Sequence, residues 1–256
     1  MPWVSASQRS GVRSLRAIRS WYSRAATAAL CHGRSPLART GGVLCHGDRV
    51  DAVATLAAAG FDIAHAFDAA QVGRDLGLDL LAGARRGLLI GNTRALWPHF
   101  CAALRDSALA ADPDPLDRYS EQTIAAAFPG ERVYYGHRRY DGAFLPLQHL
   151  AVATGLGALA PSRLVIHPTF GPWFALRAVV LAGEPPPPPR LPIAQPCRCD
   201  AACDDTLQRA LRTMDWRDWL AVRDRCQLSA WRYSDDQIRF HYAAMARLVR
   251  PDGSSR

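Results

Sequence analysis

The chain has 256 residues, 49% of them hydrophobic and 21% charged, with 31 basic side chains against 23 acidic ones for a formal charge of +8. That balance excludes a disordered chain, a collagen-like repeat and a bare disulfide scaffold. Every basic side chain is an arginine and Asn92 is the single asparagine. A GC-rich coding sequence produces such a bias, and guanidinium is also the better choice where a carboxylate or phosphate must be gripped by a planar fork.

The charge is uneven. From Met1 to Gly47 there is no acid, while Arg9, Arg13, Arg16, Arg19, Arg24, Arg34 and Arg39 supply seven positive charges. The other 24 arginines face all 23 acids, so residues 48–256 carry about +1. Residues 1–47 are expected to be a basic extension outside the core. Their acid-free, Ser-rich composition also fits a transit peptide or a partner-binding arm, and they lack the unbroken apolar run of a secretory signal. Elsewhere no stripe of basic and aromatic residues occurs, so a nucleic-acid partner is not expected. No stretch reaches the ~18 apolar residues of a membrane span, because Arg74, Arg85, Arg86 and Arg177 interrupt the best candidates. A cytoplasmic protein is expected.

Residues 48–250 read as one domain. VDAVATLAAA at 50–59 predicts a helix closed by Gly60, and GFDIAHAFD a short extended piece. GLLIGNT at 87–93 is an apolar run ending at Gly91 and Asn92, as a buried strand ends before a helix. That helix is expected from about Trp97 to Ser107, since Pro98 is tolerated only near the first turn. ADPDPLDRYSEQTIAAAF predicts a turn and a second helix, ERVYYGHRRY at 131–140 an aromatic strand, and LPLQHLAVATGLG a helix punctuated by Gly155 and Gly157. SRLVIHP and GPWFALRAVVLA are two β-rich runs separated by Pro168, Gly171 and Pro172, a hairpin-type layout with a longer loop. A proline-rich link at 185–192 must be extended and leads to short helices in TMDWRDWLAVRDR and YSDDQIRFHYAAMARLV. Strands interleaved with helices imply an α+β or α/β sandwich.

Four features could carry chemistry. AVATGLGAL lacks the third glycine of a dinucleotide fingerprint, so Gly155 and Gly157 are either a helix C-cap or a close backbone approach to a flat ligand. Cys197, Cys199 and Cys203 stand at C-x-C-x3-C with Cys226 further on. They could hold zinc or a cluster, serve as a redox or soft ligand, or be incidental. His167 ends an apolar strand, with Phe170, Trp173 and Phe174 as a cavity wall or simply core. Arg177 interrupts an apolar strand, where an unpaired guanidinium is costly. It meets a carboxylate such as Asp218 or Asp224, or it faces a pocket for an anionic ligand.

IHPTFGPWFALRAVVL at 166–181, WRDWLAVRD at 216–224 and RYSDDQ at 232–237 resemble the methylmalonic aciduria and homocystinuria type C family of cobalamin-processing proteins. LAVATGLGALAPSRLVIHPTFGPWF also resembles the core of epoxyqueuosine reductases, which share that family's cobalamin-binding fold. The resemblance implies a nitroreductase-like α+β sandwich, mainly antiparallel sheet with flanking helices. It implies a pocket holding cobalamin with its lower base detached, bordered by Gly155, Gly157, His167, Phe170, Gly171 and Trp173. The implied activity is removal of the upper axial ligand, by reduced flavin or by transfer of an alkyl group to glutathione. Arg177 and Arg223 match the family's glutathione-binding arginines, and Arg247 falls near a third. A cobalamin-dependent enzyme is the implied partner. A non-catalytic cobalamin carrier and a flavin- or iron–sulfur-dependent reductase are the alternatives. Two departures are visible: the position of a family histidine is Val152, with His149 one turn earlier, and the reductase C-x2-C-x2-C-x3-C-P module is missing.

Overall fold

A computed structural model describes residues 46–183, 185–188, 193–198 and 202–248. Residues 1–45 of the basic extension and Cys199 lie outside the described residues, as does the side chain of Arg247.

The first helix, α1 (His46–Ala58), stops where Gly60 turns back at φ +91°. The chain then enters β1 (Ile63–Asp68), whose last residue caps α2 (Ala69–Leu76) by accepting from the Gln71 N–H. A 3-10 turn at Asp79–Leu81 leads into β2 (Arg86–Asn92), then α3 (Leu96–Ala103), the single-turn α4 (Ser107–Ala110) and α5 (Pro115–Ala127). Next come β3 (Arg132–Tyr135), the small pair β4 (Arg139–Tyr140) and β5 (Ala143–Phe144), and α6 (Leu147–Ala153). After the short β6 (Ala158–Leu159) and β7 (Val165–Ile166) runs the long β8 (Ala175–Ala182). The C-terminal part is helical: α7 (Ala202–Thr213), α8 (Trp216–Asp224) and α9 (Asp235–Leu248).

β1, β2, β8 and β3 form one antiparallel sheet in that order. Both faces are covered. Leu88, Ile90, Ala178 and Val180 pack with Leu56 of α1, Leu96 and Phe100 of α3, and Ile124 of α5. Leu89, Val179 and Leu181 face the other way, onto Val72 of α2, Leu81, and Leu150 and Ala151 of α6. Alternate residues of each central strand thus serve opposite cores, which is why β2 and β8 read as unbroken apolar runs instead of alternating ones. The architecture is the expected α+β class, a mainly antiparallel sheet with flanking helices.

Several local expectations need correction. The helix after β2 ends at Ala103, and a separate turn of helix occupies Ser107–Ala110. The aromatic stretch 131–140 is broken at 136–138: Tyr134 and Tyr135 stay in the sheet while Arg139 and Tyr140 turn into the β4–β5 pair. The runs around His167 do not form a hairpin either. β7 pairs with β6, and β8 lies between β2 and β3. The physical cause is the loop between them: His167 and Gly171 exchange both backbone hydrogen bonds at 2.9 Å, which closes a tight turn and redirects the chain into the main sheet.

The proline link at 185–188 has no regular secondary structure, and the C-terminal helices return to the body. Trp173 packs with Tyr233, Ile238 and Tyr242, while the Phe240 ring lies 5.5 Å from Trp97 and 5.2 Å from Phe100. Each such aromatic contact adds about 0.5–1.5 kcal/mol beyond area burial, so α9 is pinned to both α3 and the start of β8. Among the described residues, no helix is long and apolar enough to cross a membrane.

Candidate functional site: a buried arginine pair beneath an aromatic wall

A bulge organises the centre. β2 and β8 pair in regular register from Arg86↔Ala182 to Ile90↔Ala178, then slip so that Gly91 faces Leu176. Arg177 is the residue left over. Its backbone carbonyl accepts from Gly136 at 2.8 Å, and its side chain turns toward α5. A bulge re-aims a side chain without ending the strand.

There the guanidinium is only partly paired. Nε donates to Asn92 Oδ1 at 2.8 Å and Nη1 stands 4.0 Å from Asp117 Oδ1, while buried Nη2 has no hydrogen-bond partner among the described residues. Asp117 is itself shared, 3.6 Å from His137 Nδ1. His137 also meets Glu121 at 2.7 Å, and Arg138 grips the same carboxylate through two nitrogens. Burial opposes ionisation of Glu121, but hydrogen bonds from Arg138 and His137 outweigh it and hold the carboxyl below its ordinary range. The expected partners of Arg177 were Asp218 and Asp224. Both are taken: Asp218 pairs with Arg209 at 2.9 Å, Asp224 with Arg232 at 2.7 Å.

Arg223 comes from α8. Its Nη2 donates to the carbonyls of Pro172 and Phe174, its carbon centre sits 4.8 Å over the Trp173 ring and 5.2 Å over Tyr233, and its Nε has no partner among the described residues. Stacking on aromatic faces suits guanidinium, whose hydration is weak. No carboxylate is paired with Arg223 among the described residues. Arg177 and Arg223 act together on His241 of α9: burial first, then these two cations, depress the imidazole to about 3, so it is neutral at ordinary pH. Tyr233, with its ring 5.7 Å from His241, also feels both arginines. The sequence-predicted Arg177 and Arg223 therefore share one polar centre. Arg247 lies in the last turn of α9.

The aromatic side is continuous with it. Trp173 is fully buried, and its indole Nε1 has no hydrogen-bond partner among the described residues. His167 stacks on Phe170 at 4.3 Å, Phe170 meets Trp231 edge-on at 4.8 Å, and Arg94 lies 5.3 Å over Trp231. The backbone N–H groups of Thr169 and Phe170 donate to His167 Nδ1, which leaves the proton on Nε2. Burial and then the nearby His65 lower the His167 pKa. Val152 at the end of α6 and Leu159 of β6 are large apolar side chains left 40% and 43% exposed.

The glycines have structural work of their own. Gly155, at φ +72°, caps α6, with the Leu156 N–H reaching the Ala151 carbonyl at 2.9 Å. A Cβ on Gly157 would meet Val165 Cγ1 at 2.5 Å, and one on Gly171 would meet the Leu228 carbonyl oxygen at 2.2 Å. Cys197 and Cys226 pack with Ala160, Ile166 and Leu228, and Cys203 is buried in the first turn of α7. Among the described residues no group of three or more His, Cys, Asp or Glu is placed to hold a metal ion. A separate open groove of about 490 Å³, lined by Thr206, Arg209, Arg217, Leu220, Ala221, Asp224 and Arg225, includes none of the residues singled out for cobalamin or glutathione.

Sequence reasoning missed Asn92, Asp117, Tyr233, Gln237 and His241. Gln237 and His241 stand four residues apart in α9, a spacing that puts them on one helix face, with Tyr233 just ahead of the helix; that signal was readable. Asn92 and Asp117 had none, because only the bulge brings them to Arg177.

Comparison with solved structures is decisive for the fold. The chain superposes on the C. elegans B12-trafficking protein CblC, a human MMACHC homologue, with a TM-score of 0.55 at 15% identity, covering 82% of this chain and 98% of that one. This chain has the CblC fold. Two epoxyqueuosine reductase structures, one selenomethionine-labelled and one with a tRNA-Tyr stem loop, align over 61% of the chain at 16% and 15% identity. They reach TM-scores of 0.38 and 0.37 over 51% and 50% of their own length. No family model and no curated protein matches the sequence. The CblC fold carries the chain's IHPTFGPWFALR and WRDWLAVRD segments into the same centre, since Trp173, Arg177 and Arg223 derive from them.

Proposed function

We propose that this chain binds cobalamin against the aromatic wall and removes its upper axial ligand, with Arg177 and Arg223 holding the carboxylates of a thiol co-substrate such as glutathione. The observation that carries the reading is a pair of half-buried arginines acting on one centre, whose buried donors Arg177 Nη2 and Arg223 Nε have no hydrogen-bond partner among the described residues. Buried cations in that state are costly unless an anion completes them. The fold shared with a B12-trafficking protein supplies the class of the second substrate.

Each residue then has a task. His167, Phe170 and Trp231 offer flat faces to the corrin, and Val152 and Leu159 extend the apolar border. The two arginines fix the thiol by its carboxylates, so that the sulfur is delivered repeatedly to one place; pre-positioning of this kind supplies a large part of a bimolecular barrier. In dealkylation the thiolate sulfur forms a bond to the axial carbon and the cobalt–carbon bond breaks with its electron pair left on cobalt, giving a thioether and a reduced corrinoid. Reduced flavin is the alternative electron source for ligands removed by reduction. The Val152 side chain provides no nitrogen to cobalt, in keeping with a site that contacts the corrin through apolar groups.

Mixing the purified chain with methylcobalamin or cyanocobalamin is expected to shift the visible spectrum to the base-off form, and glutathione or reduced flavin to drive loss of the upper ligand. An unchanged spectrum at high protein excess overturns cobalamin binding. A shift without turnover overturns the catalytic part and leaves a carrier.

A further inference from the structure

Three cysteines with no part in the arginine centre lie where the proline-rich link meets the C-terminal helices. Cys197 belongs to a stretch without regular secondary structure, and Gln195 fixes it there. The Gln195 Nε2 donates to the Leu159 carbonyl of β6 at 2.7 Å, and the Cys197 N–H donates to Gln195 Oε1 at 3.0 Å. The Cys197 side chain joins the small apolar cluster of Ala160, Ile166, Leu164 and Leu228 that also holds Cys226, just beyond α8. Cys203 belongs to α7, whose Leu207 packs with Val222 of α8. Cys203 stands one turn before Leu207 and Cys226 one turn after Val222, so the antiparallel helix pair brings both to the same end. None of the three is in a disulfide.

Their accessibility differs. Cys226 is 7% exposed and Cys203 3%, while Cys197 is half-buried. A thiol open to solvent with a second thiol sheltered behind it is the layout of a peroxide-responsive pair, in which the first is oxidised and the second resolves it. A hydroperoxide therefore reaches Cys197 before the other two. Cys197 also sits on backbone outside any helix or strand, so the movement that brings two sulfurs to bonding distance bends the link and leaves α7 and α8 intact.

We propose that Cys197 and Cys226 form a reversible disulfide in the presence of a hydroperoxide. The Cys197 thiolate attacks the peroxide, the O–O bond breaks and water or an alcohol leaves, giving a sulfenic acid. The Cys226 sulfur then attacks the Cys197 sulfur, the S–O bond breaks and water leaves. Two thiols are oxidised by two electrons in all, and the peroxide is reduced by the same two. The new bond staples the link to the loop between α8 and α9, which carries Trp231 against Phe170 and sets Leu228 against Gly171. Oxidation thus stiffens the aromatic wall from behind, whichever ligand the arginine centre takes.

The test treats the full, reduced chain with hydrogen peroxide and digests it with trypsin without reductant. Cleavage after Arg190, Arg198, Arg225 and Arg232 puts Cys197 in the peptide 191–198 and Cys226 in 226–232, and leaves Cys199 and Cys203 together in 199–209. The expected product is 191–198 linked to 226–232, absent before oxidation and lost on treatment with dithiothreitol. The oxidised chain is expected to melt roughly 5–10 °C higher, as a staple closing a loop of this length should. Cys226→Ala should leave Cys197 as a sulfenic acid that dimedone traps. Cys197→Ser should abolish the link and leave Cys226 reduced. A link from either peptide to 199–209, no link at all, or wild-type Cys197 accumulating as the trapped sulfenic acid overturns the pairing. So does zinc bound to the purified chain and released by peroxide, which would give the thiols to a metal ion. A linked pair with an unchanged melting temperature overturns the staple. The peptide map of the wild-type chain does not depend on a variant folding.

Discussion

The Arg177 guanidinium and the Asn92 amide meet across the bulge of β8 and β2, Nε donating to Oδ1 over 2.8 Å. Asn92 is fully buried and spends its own Nδ2–H on the Thr93 carbonyl at 3.0 Å, so its oxygen has a fixed direction. Asn92→Ala removes that acceptor and strands a charged donor. Urea unfolding should show a loss of about 1–3 kcal/mol, and calorimetry a weakening of glutathione binding by about tenfold. Unchanged stability would mean the guanidinium takes its orientation from elsewhere.

Arg177→Ala separates thiol from corrin. Hydrogen bonds to a charged group contribute about 1.5–3 kcal/mol, so thiol-dependent turnover should fall ten- to hundredfold. Cobalamin affinity, read from the visible spectrum, should change less than about twofold. An equal loss of both would assign Arg177 to the scaffold.

Val152 provides a test that spares the fold. It is 40% exposed, so an aspartate there remains hydrated and the melting temperature should hold. If the corrin lies on this border, Val152→Asp should weaken cobalamin binding at least tenfold. An unaltered titration would place the corrin elsewhere.

Acid should destabilise the protein through His241. Unfolded, its pKa is about 6.5; folded, it is depressed to about 3 by burial and by Arg177 and Arg223. Between these values the unfolded chain binds the extra proton, so stability rises with pH across the window and is lost as pH falls below about 6.5. The slope approaches about 1.4 kcal/mol per pH unit. His241→Phe should flatten the dependence of melting temperature on pH between 6.5 and 4. A wild-type slope in the variant would assign the acid sensitivity to other groups, among them His167, which is depressed in the same direction.

Gly171 sits at φ +58°, and a Cβ there would lie 2.2 Å from the Leu228 carbonyl oxygen. The left-handed conformation alone costs a non-glycine roughly 1–2 kcal/mol, and the backbone oxygen has little room to yield. Gly171→Ala should therefore lower the unfolding free energy by more than about 2 kcal/mol in urea. A smaller change would show that the turn can open, and would favour a ligand-contact role for this glycine over a packing one.

Much of this protein was legible before any coordinates. A sheet packed against helices followed from apolar runs at 87–93 and 171–182 alternating with helical spacing, because a strand buried on both faces has little choice of side chain; the resemblance narrowed the class to α+β. Arg177 stood out because a cation inside an apolar segment demands a partner, and Arg223 because WRDWLAVRD resembles a segment of the cobalamin-processing family. What the sequence could not decide was which partner. Asp218 and Asp224, nearest to Arg223 along the chain, are used up by Arg209 and Arg232. Asn92 and Asp117, 85 and 60 positions before Arg177, are the groups it meets. The β7–β8 hairpin failed for the same reason: strand pairing is settled by the closed His167–Gly171 turn and by the place open between β2 and β3, and neither is local. The sequence by itself determined which residues are expensive to bury; only the tertiary structure decided how they share that cost, by bringing one bulge, one arginine of α8 and His241 of α9 together.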